Sequence, residues 1–570
     1  MTQRNVFWTP SDPVKNGDTL YEGLRFALHC IARYPGSFCG VALLVFCSTA
    51  LILPVPLLSK AIVNLVEVQG DPWKIVFYGL LALGAVTFER CVSYWHGVII
   101  FRQYRMLLCD LRLQVLDHVL ATPLALLAEE EPTALGARIF NDTDMALSAF
   151  YDNLISVCEN AITVLVCLVA MAIIALKPTL LVMAAIPVYV FLLGHFGERI
   201  RLLTDTFYDA TAEDNGLYCN LLGAPEVAKM HSHAYLTESF ARSFAVSIRA
   251  ADQMMRMRAA SYAIILWISN VLPVAILMVC AFLILGGSFN LGAFVALSAF
   301  MAYLFPALRR TVEYFVSAQG GLVGLTRVNE LLRLPRESLG AKGIAPGGRH
   351  LTLRDLSFRY GEQERGALEG ISLTLARGDL LVIMGESGSG KTTLLKIIAG
   401  LFEQEKGDVL LDGEPLPSAN RRQMTAYVEQ EPFVFADSLV ENVRLGRDWV
   451  STSQARQVLA SVGLQGLLDS EDTAAGEDGP NLRQGGSNLS LGQKKRIALA
   501  RALVKDADII VIDEPTSGLD SENASRVMET IRRICRDRFV IVVSHAENAI
   551  DEHSRVCILE GGRLHEPGRQ

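Results

Sequence analysis

The stretch Leu380-Leu-Val-Ile-Met384-Gly385-Glu386-Ser387-Gly388-Ser389-Gly390-Lys391-Thr392-Thr393 decides the fold of the second half of the chain. Five apolar residues read as a buried strand, a glycine-rich turn follows, and the run Thr393–Leu401 reads as a helix. The turn matches the pattern G-x-x-x-x-G-K-[ST]. Its glycines let backbone amides approach and cradle phosphates at a helix N-terminus. In that setting Lys391 neutralises β- and γ-phosphates, and the Thr392 hydroxyl is suited to Mg²⁺. A chance glycine turn would not require a strand before it and a helix after it.

A second apolar strand, Ile509-Ile-Val-Ile512, ends in Asp513-Glu514. Carboxylates at the end of a central strand lie at the ligand crevice of a parallel sheet. Asp513 is placed to hold Mg²⁺ through water, and Glu514 to orient and deprotonate an attacking water. Phosphate loop and acidic strand end together point to hydrolysis of ATP or GTP. Around them Leu351–Tyr360, Ile371–Leu375 and Phe539–Val543 read as strands between helical stretches, an α/β P-loop domain spanning residues 350–570. Residues 336–349, with Gly340, Gly343, Pro346, Gly347 and Gly348, read as a linker.

Residues 1–335 have another composition. Six apolar stretches are long enough to span a bilayer as helices: about Phe38–Leu58, Ile75–Val98, Leu154–Leu176, Leu180–Phe196, Ala260–Leu285 and Leu291–Tyr314. The expectation is an all-α, six-helix transmembrane domain. Thr19–Tyr34 reads as an amphipathic helix on the membrane surface, and the first 30 residues carry charges and no cleavable apolar core. The connections after spans two and four are long and arginine-rich, which places them, both termini and the ATPase domain in the cytoplasm. They contain few helix breakers, so the spans are expected to continue beyond the bilayer.

The whole chain has 570 residues, is 51% hydrophobic, and balances 52 Lys+Arg against 60 Asp+Glu. That acidic excess argues against a nucleic-acid partner. Eleven cysteines, nine of them before residue 300, form neither a disulfide framework nor a CxxC zinc pattern. Cys39, Cys47, Cys167 and Cys280 read as buried thiols in apolar runs.

Leu489-Ser490-Leu491-Gly492-Gln493 lies shortly before Asp513 and resembles the LSGGQ signature of ABC ATPases. Further residues resemble that family in its order. Tyr360 resembles the aromatic that stacks on adenine, and Gln430 in Tyr427-Val-Glu-Gln430 the Q-loop glutamine. Ser517-Gly-Leu-Asp520 resembles the D-loop, and His545 in Val542-Val-Ser-His545 the switch histidine. With the six spans, the chain is similar to exporter-type ABC half-transporters along nearly its whole length.

The resemblance implies ATP and Mg²⁺ as ligands. Glu514, His545 and Gln430 would be catalytic, with Thr392, Gln430 and Asp513 around the metal. Ser490, Gly492 and Gln493 would contact ATP bound to a second half-transporter, and Asp520 would lie in the D-loop. One ATPase domain per chain implies a dimer, a homodimer by default, in a bacterial inner membrane. Short coupling helices are implied near Ala121–Leu135 and Thr211–Leu222. Leu491 stands where the family has glycine, and Gln484 where it often has Glu. A chain with intact catalytic residues and an altered signature also occurs in heterodimers.

Ionisable residues within the spans fall near one level. At 1.5 Å per residue, Glu89 and Arg90 lie about 21–23 Å into span two. Glu159, His195, Arg309, Arg310 and Glu313 come out at the same level or deeper. They are candidates for a substrate cavity whose arginines favour an anionic group on the cargo; mutual ion pairing is the competing reading. The functional expectation is ATP-driven export or flipping of a peptide, natural product, lipid or drug-like substrate. Its rivals are a lipid-linked glycan flippase and an ATP-gated membrane regulator without uphill transport. The six spans exclude a soluble ABC ATPase. Fusion of the two parts argues against an importer, and the short stretch before span one leaves no room for an N-terminal peptidase.

Overall fold

The computed structural model describes residues 8–9, 19–128, 132–223, 229–230, 233–287, 289–337, 347–360, 366–474, 482–518, 521–544 and 554–566. The chain divides into two compact units. One comprises residues 1–121 and 130–334, the other residues 122–129 and 335–570.

The first unit is helical. Its main elements are α1 (Thr19–Arg33), α2 (Pro35–Ala50), α3 (Pro54–Glu67), α4 (Pro72–Leu120), α5 (Asn153–Ile174), α6 (Leu176–Gly223), α7 (His233–Leu285) and α8 (Leu291–Arg333). The expected first span is carried by α2 and α3 together, one apolar stretch of 33 residues, Pro35–Glu67, with a turn inside it. Pro54 and Pro56 cannot donate into a continuing helical ladder, so the chain turns at Leu51–Leu53 and restarts. By contrast α4 runs unbroken: the Asp71 side chain caps it by accepting from Trp73 N at 3.0 Å, and Pro72 takes the tolerated first position. At 49 residues it extends for about 74 Å, far beyond a hydrocarbon core of roughly 30 Å.

Five helical stretches are long and apolar enough to cross a membrane, and the fourth expected span lies in α6, whose apolar run Leu176–Val188 is shorter among the described residues. Cys167, Met171, Ile276, Cys280, Leu297, Phe300 and Leu304 form a buried cluster from α5, α7 and α8. Cys167 and Cys280 are thus core thiols, whereas Cys39 is exposed and Cys47 half-buried, because one face of α2 is unpacked in the isolated chain.

Before α5 the chain makes two π-helical turns, Arg138–Asp142 and Ser148–Asp152. Helix α8 comes close to the first of them: a Cβ on Gly324 would lie 2.8 Å from the Asp142 carbonyl oxygen. Trp8 is only 2% exposed and meets the Phe26 ring of α1 edge-on. Its indole donates to Asn329 Oδ1 at 2.8 Å, and its backbone N donates to Gln114 Oε1 at 2.7 Å. The Trp8 side chain thus meets α1 and α8, and its backbone hydrogen-bonds to α4.

The second unit holds two sheets. One is antiparallel, in the order β2 (Leu368–Ala376), β1 (His350–Phe358), β4 (Lys406–Leu411), β5 (Glu414–Pro415). The other has the order β10 (Arg563–His565), β9 (Ser554–Glu560), β3 (Leu380–Met384), β8 (Phe539–Val543), β7 (Ile509–Asp513), β6 (Thr425–Val428). From β9 to β6 its pairs are parallel. Strands β7 and β8 are buried along their whole length, as expected for a parallel sheet covered on both faces. The short helix Leu124–Leu127 belongs to this unit, and Leu124 and Ala125 pack against a core containing Leu381, Leu395 and Ile541. The implied second coupling element differs. Thr211–Leu222 is the end of the long helix α6, because no breaker interrupts it there.

Candidate functional site

The phosphate loop joins β3 to α9 (Lys391–Ile398). Gly390 caps α9 with φ 102° and no side-chain hydrogen bond, so the first helical amides stay open to an anion. A Cβ on Gly390 would lie 2.5 Å from the Ala367 carbonyl oxygen, which restricts this position to glycine. Lys391 is buried, and its Nζ donates to the carbonyls of Gly385 at 2.9 Å and Glu386 at 2.6 Å. Burial lowers its pKa, while the nearby Glu514 and Asp513 charges oppose the shift. The Ser389 hydroxyl is buried and has no hydrogen-bond partner. Glu386, Ser387 and Gly388 are exposed.

Two strands away, β7 delivers Asp513 to this loop. Thr392 Oγ1 donates to Asp513 Oδ2 at 2.7 Å. Burial raises the Asp513 pKa, and the Thr392 hydrogen bond acts the other way. Hydroxyl and buried carboxylate side by side form an all-oxygen donor set of the kind Mg²⁺ prefers. Glu514 follows with a left-handed φ of 48°, a strained geometry for a non-glycine residue. Its backbone N donates to Val543 O at 3.0 Å, and its carbonyl accepts from Lys495 Nζ at 2.7 Å.

Lys495 was not singled out in the sequence. It is 4% exposed and donates also to Ser517 O at 2.7 Å. Burial lowers its pKa against the opposing charges of Glu514, Asp513 and Glu431. Its only sequence signal is its position in the basic run after Gln493, where one lysine looks like the next.

Tyr360 follows β1. Its hydroxyl hydrogen-bonds Thr393 Oγ1 at 2.9 Å, and its ring meets Phe358 and Phe402 edge-on. Gln430 is exposed two residues beyond β6; because Val428 pairs with Ile512, it leaves the sheet level with Glu514. Ser490 caps α10 (Leu491–Val504), with its Oγ accepting from Gln493 N at 3.2 Å. Its own N donates to Gln493 Oε1 at 2.8 Å, completing a capping box. Gln493 therefore has a structural task here. Gly492 lies in the first turn of α10, and Leu491 beside it is 41% exposed. The Leu491 side chain lies against Gly518, where a Cβ would come within 2.9 Å of Cδ2. His545 and Asp520 lie outside the described residues.

In the membrane unit the candidate charges pair with each other. Arg309 Nη1 donates to Glu313 Oε1 at 2.7 Å and to the Tyr262 hydroxyl at 3.3 Å. Arg90 lies 2.8 Å from Glu89. Arg310 and His195 are exposed, His195 stacking on Phe191, and Glu159 is half-buried.

A strand, a phosphate loop, a facing acidic strand end and a capped signature helix, behind a long helical membrane unit, define a membrane-bound ATPase. The ABC transporter family description matches residues 368–517, and that of the ABC transporter transmembrane region matches residues 38–308. The chain is an exporter-type ABC half-transporter, with membrane domain and ATPase domain fused in one multi-pass polypeptide. It binds ATP, and its hydrolysis drives export or flipping of a substrate across the membrane.

Three curated relatives are each named ATP-dependent lipid A-core flippase. That of Ralstonia nicotianae is 28% identical over 88% of this chain and 85% of its own. That of Cupriavidus metallidurans is 26% identical over 86% and 83%, and that of Alkalilimnicola ehrlichii 27% identical over 88% and 86%. A solved bacterial Atm1-family ABC exporter with ATP bound shares the fold, with a TM-score of 0.82 and 20% identity over 94% of this chain and 95% of that one.

Proposed function

We propose that two copies of this chain form a lipid flippase of a bacterial inner membrane, with the ATPase domains in the cytoplasm. The observation that carries this reading is the likeness to three lipid A-core flippases along most of the chain. The cargo is an amphipathic lipid with an anionic head group. Exposed Arg310 is available to that group, and Arg309 reaches it by exchanging its Glu313 partner.

At the ATPase, Tyr360 stacks on adenine, and Lys391 with the amides of the loop holds the phosphates. Thr392, Asp513 and Gln430 would hold Mg²⁺, which neutralises phosphate charge when bound. Glu514 accepts a proton from water as the water oxygen bonds to the γ-phosphorus and the bond to ADP breaks. His545 donates to the γ-phosphate. Ser490 and the Gly492 amide of one copy contact the nucleotide of the other, so ATP closes the pair and hydrolysis releases it. The packing of Leu124 and Ala125 on the ATPase core supports the segment 122–129 as the coupling element.

The test is transport by the purified chain in proteoliposomes, read as ATP-dependent loss of access of a fluorescent anionic lipid to an impermeant quencher. Movement that stops in Glu514→Gln is the expected result. Vigorous hydrolysis without movement of any lipid would favour the regulator reading instead.

A further inference from the structure

Tyr360 stands two residues past the end of β1, beyond the point where Ala367 N donates to Phe358 O at 2.9 Å and closes the strand pair. Side-chain contacts, rather than strand pairing, therefore set the orientation of its ring. The ring meets Phe358 at 5.0 Å between centroids and 89°, and Phe402 at 5.8 Å and 86°. Those two rings stack on each other at 5.3 Å and are buried in the core of the ATPase unit. Tyr360 itself is 36% exposed, which leaves part of its ring open.

A third contact completes the hold. The Tyr360 hydroxyl and Thr393 Oγ1 lie 2.9 Å apart. Thr393 is buried and is the third residue of α9, in the turn whose amides stay open to phosphate. Stacking on a base needs only a π face, which a phenylalanine ring would supply as well. The Tyr360 hydroxyl thus has a task that stacking does not explain, and its partner lies in the phosphate-binding turn.

A side chain that must be ordered when a ligand arrives loses affinity, and one already fixed avoids that cost. Two core rings and one hydrogen bond fix Tyr360 in this way. We propose that Thr393 is a positioning residue for base recognition. Its hydroxyl holds the Tyr360 ring in the orientation on which adenine stacks, and so joins the base site to the first turn of the phosphate-loop helix. The inference rests on the stacking role given to Tyr360 above and adds what sets the ring.

The test compares ATP with inorganic tripolyphosphate, which carries phosphates without a base. Both dissociation constants are measured by equilibrium dialysis on the full chain in nanodiscs, in EDTA to prevent turnover. Their ratio isolates the contribution of adenine. Thr393→Val keeps the side-chain shape and removes the hydroxyl, and Tyr360→Phe removes the other half of the bond at a partly exposed position. Each should weaken ATP binding about fivefold, the usual worth of one neutral hydrogen bond, and tripolyphosphate binding less than twofold. The double variant should be no weaker than either single one, because both remove the same bond. Thr393→Ser, which keeps a hydroxyl, should recover the loss.

Equal weakening of ATP and tripolyphosphate by Thr393→Val overturns the proposal, since the threonine would then act on phosphates or on folding. So do losses that add in the double variant, or a Tyr360→Phe chain that binds ATP like the parent. Tyr360→Leu separates the proposal from the reading beneath it. If removing the ring leaves the ratio of the two constants unchanged, stacking itself fails. A ratio moved by Tyr360→Leu but not by Tyr360→Phe refutes the positioning role alone.

Discussion

Lys495 Nζ donates to the Glu514 carbonyl oxygen at 2.7 Å, so the signature helix holds the backbone of the acidic turn. The same ammonium reaches Ser517 O, spanning the turn on both sides of Pro515. Glu514 sits at φ 48°, a conformation that persists only where surrounding contacts impose it.

Replacing Lys495 with Met keeps the chain volume and removes both hydrogen bonds. A displacement of about 1 Å at the reacting group costs roughly 100-fold in rate. Lys495→Met should therefore lower ATPase kcat by about that factor while the ATP dissociation constant changes little. Turnover and nucleotide binding measured on the same preparation check this split.

Burial raises the Asp513 pKa, so the carboxyl takes up a proton at a higher pH than an exposed aspartate. Its folded form favours the proton more than the unfolded chain does. This group's contribution to stability without ligand is thus fullest at low pH and is lost as pH rises through the raised pKa. Metal binding has the opposite sign, because Mg²⁺ needs the ionised form. The Mg²⁺ concentration for half-maximal ATP hydrolysis should rise as pH falls from 7.5 towards 5. Asp513→Asn should weaken Mg²⁺ dependence and flatten that pH response.

Leu491 places a large exposed side chain against Gly518 where the related families have glycine. Leu491→Gly should free this contact between signature and D-loop and speed hydrolysis by roughly 3- to 10-fold, the size of about 1 kcal/mol in barrier. ATP binding by the separate chain should not change. A steady-state ATPase assay decides.

Trp8 is buried, meets Phe26 of α1 and donates its indole N–H to Asn329 of α8. Trp8→Ala should destabilise the membrane unit by about 3–5 kcal/mol, the usual cost of removing a buried aromatic. Thermal unfolding in detergent, followed by intrinsic fluorescence, measures it. The ATPase unit should unfold as in the parent chain.

Much of the molecule was legible because its signals are local. The phosphate loop is a contiguous run whose strand and helix flank it, and β7 announces Asp513 and Glu514 by ending in them. Their approach to Thr392 follows from parallel strand order. Lys495 was hidden because burial of one lysine among three basic residues depends on tertiary packing. The break at Leu51–Leu53 was readable from Pro54 and Pro56, but the hydropathy of the run masks it. Charges counted by depth gave a cluster, whereas the helix places Arg309 one turn from Glu313, where the two pair.

The central claim is that a dimer of this chain alone hydrolyses ATP through Glu514. Its most direct test is the ATPase rate of the purified chain in nanodiscs beside Glu514→Gln. The account predicts robust Mg²⁺-dependent hydrolysis that Glu514→Gln abolishes while ATP still binds. Folded, ATP-binding protein that hydrolyses nothing would contradict the homodimer and require a second, different chain.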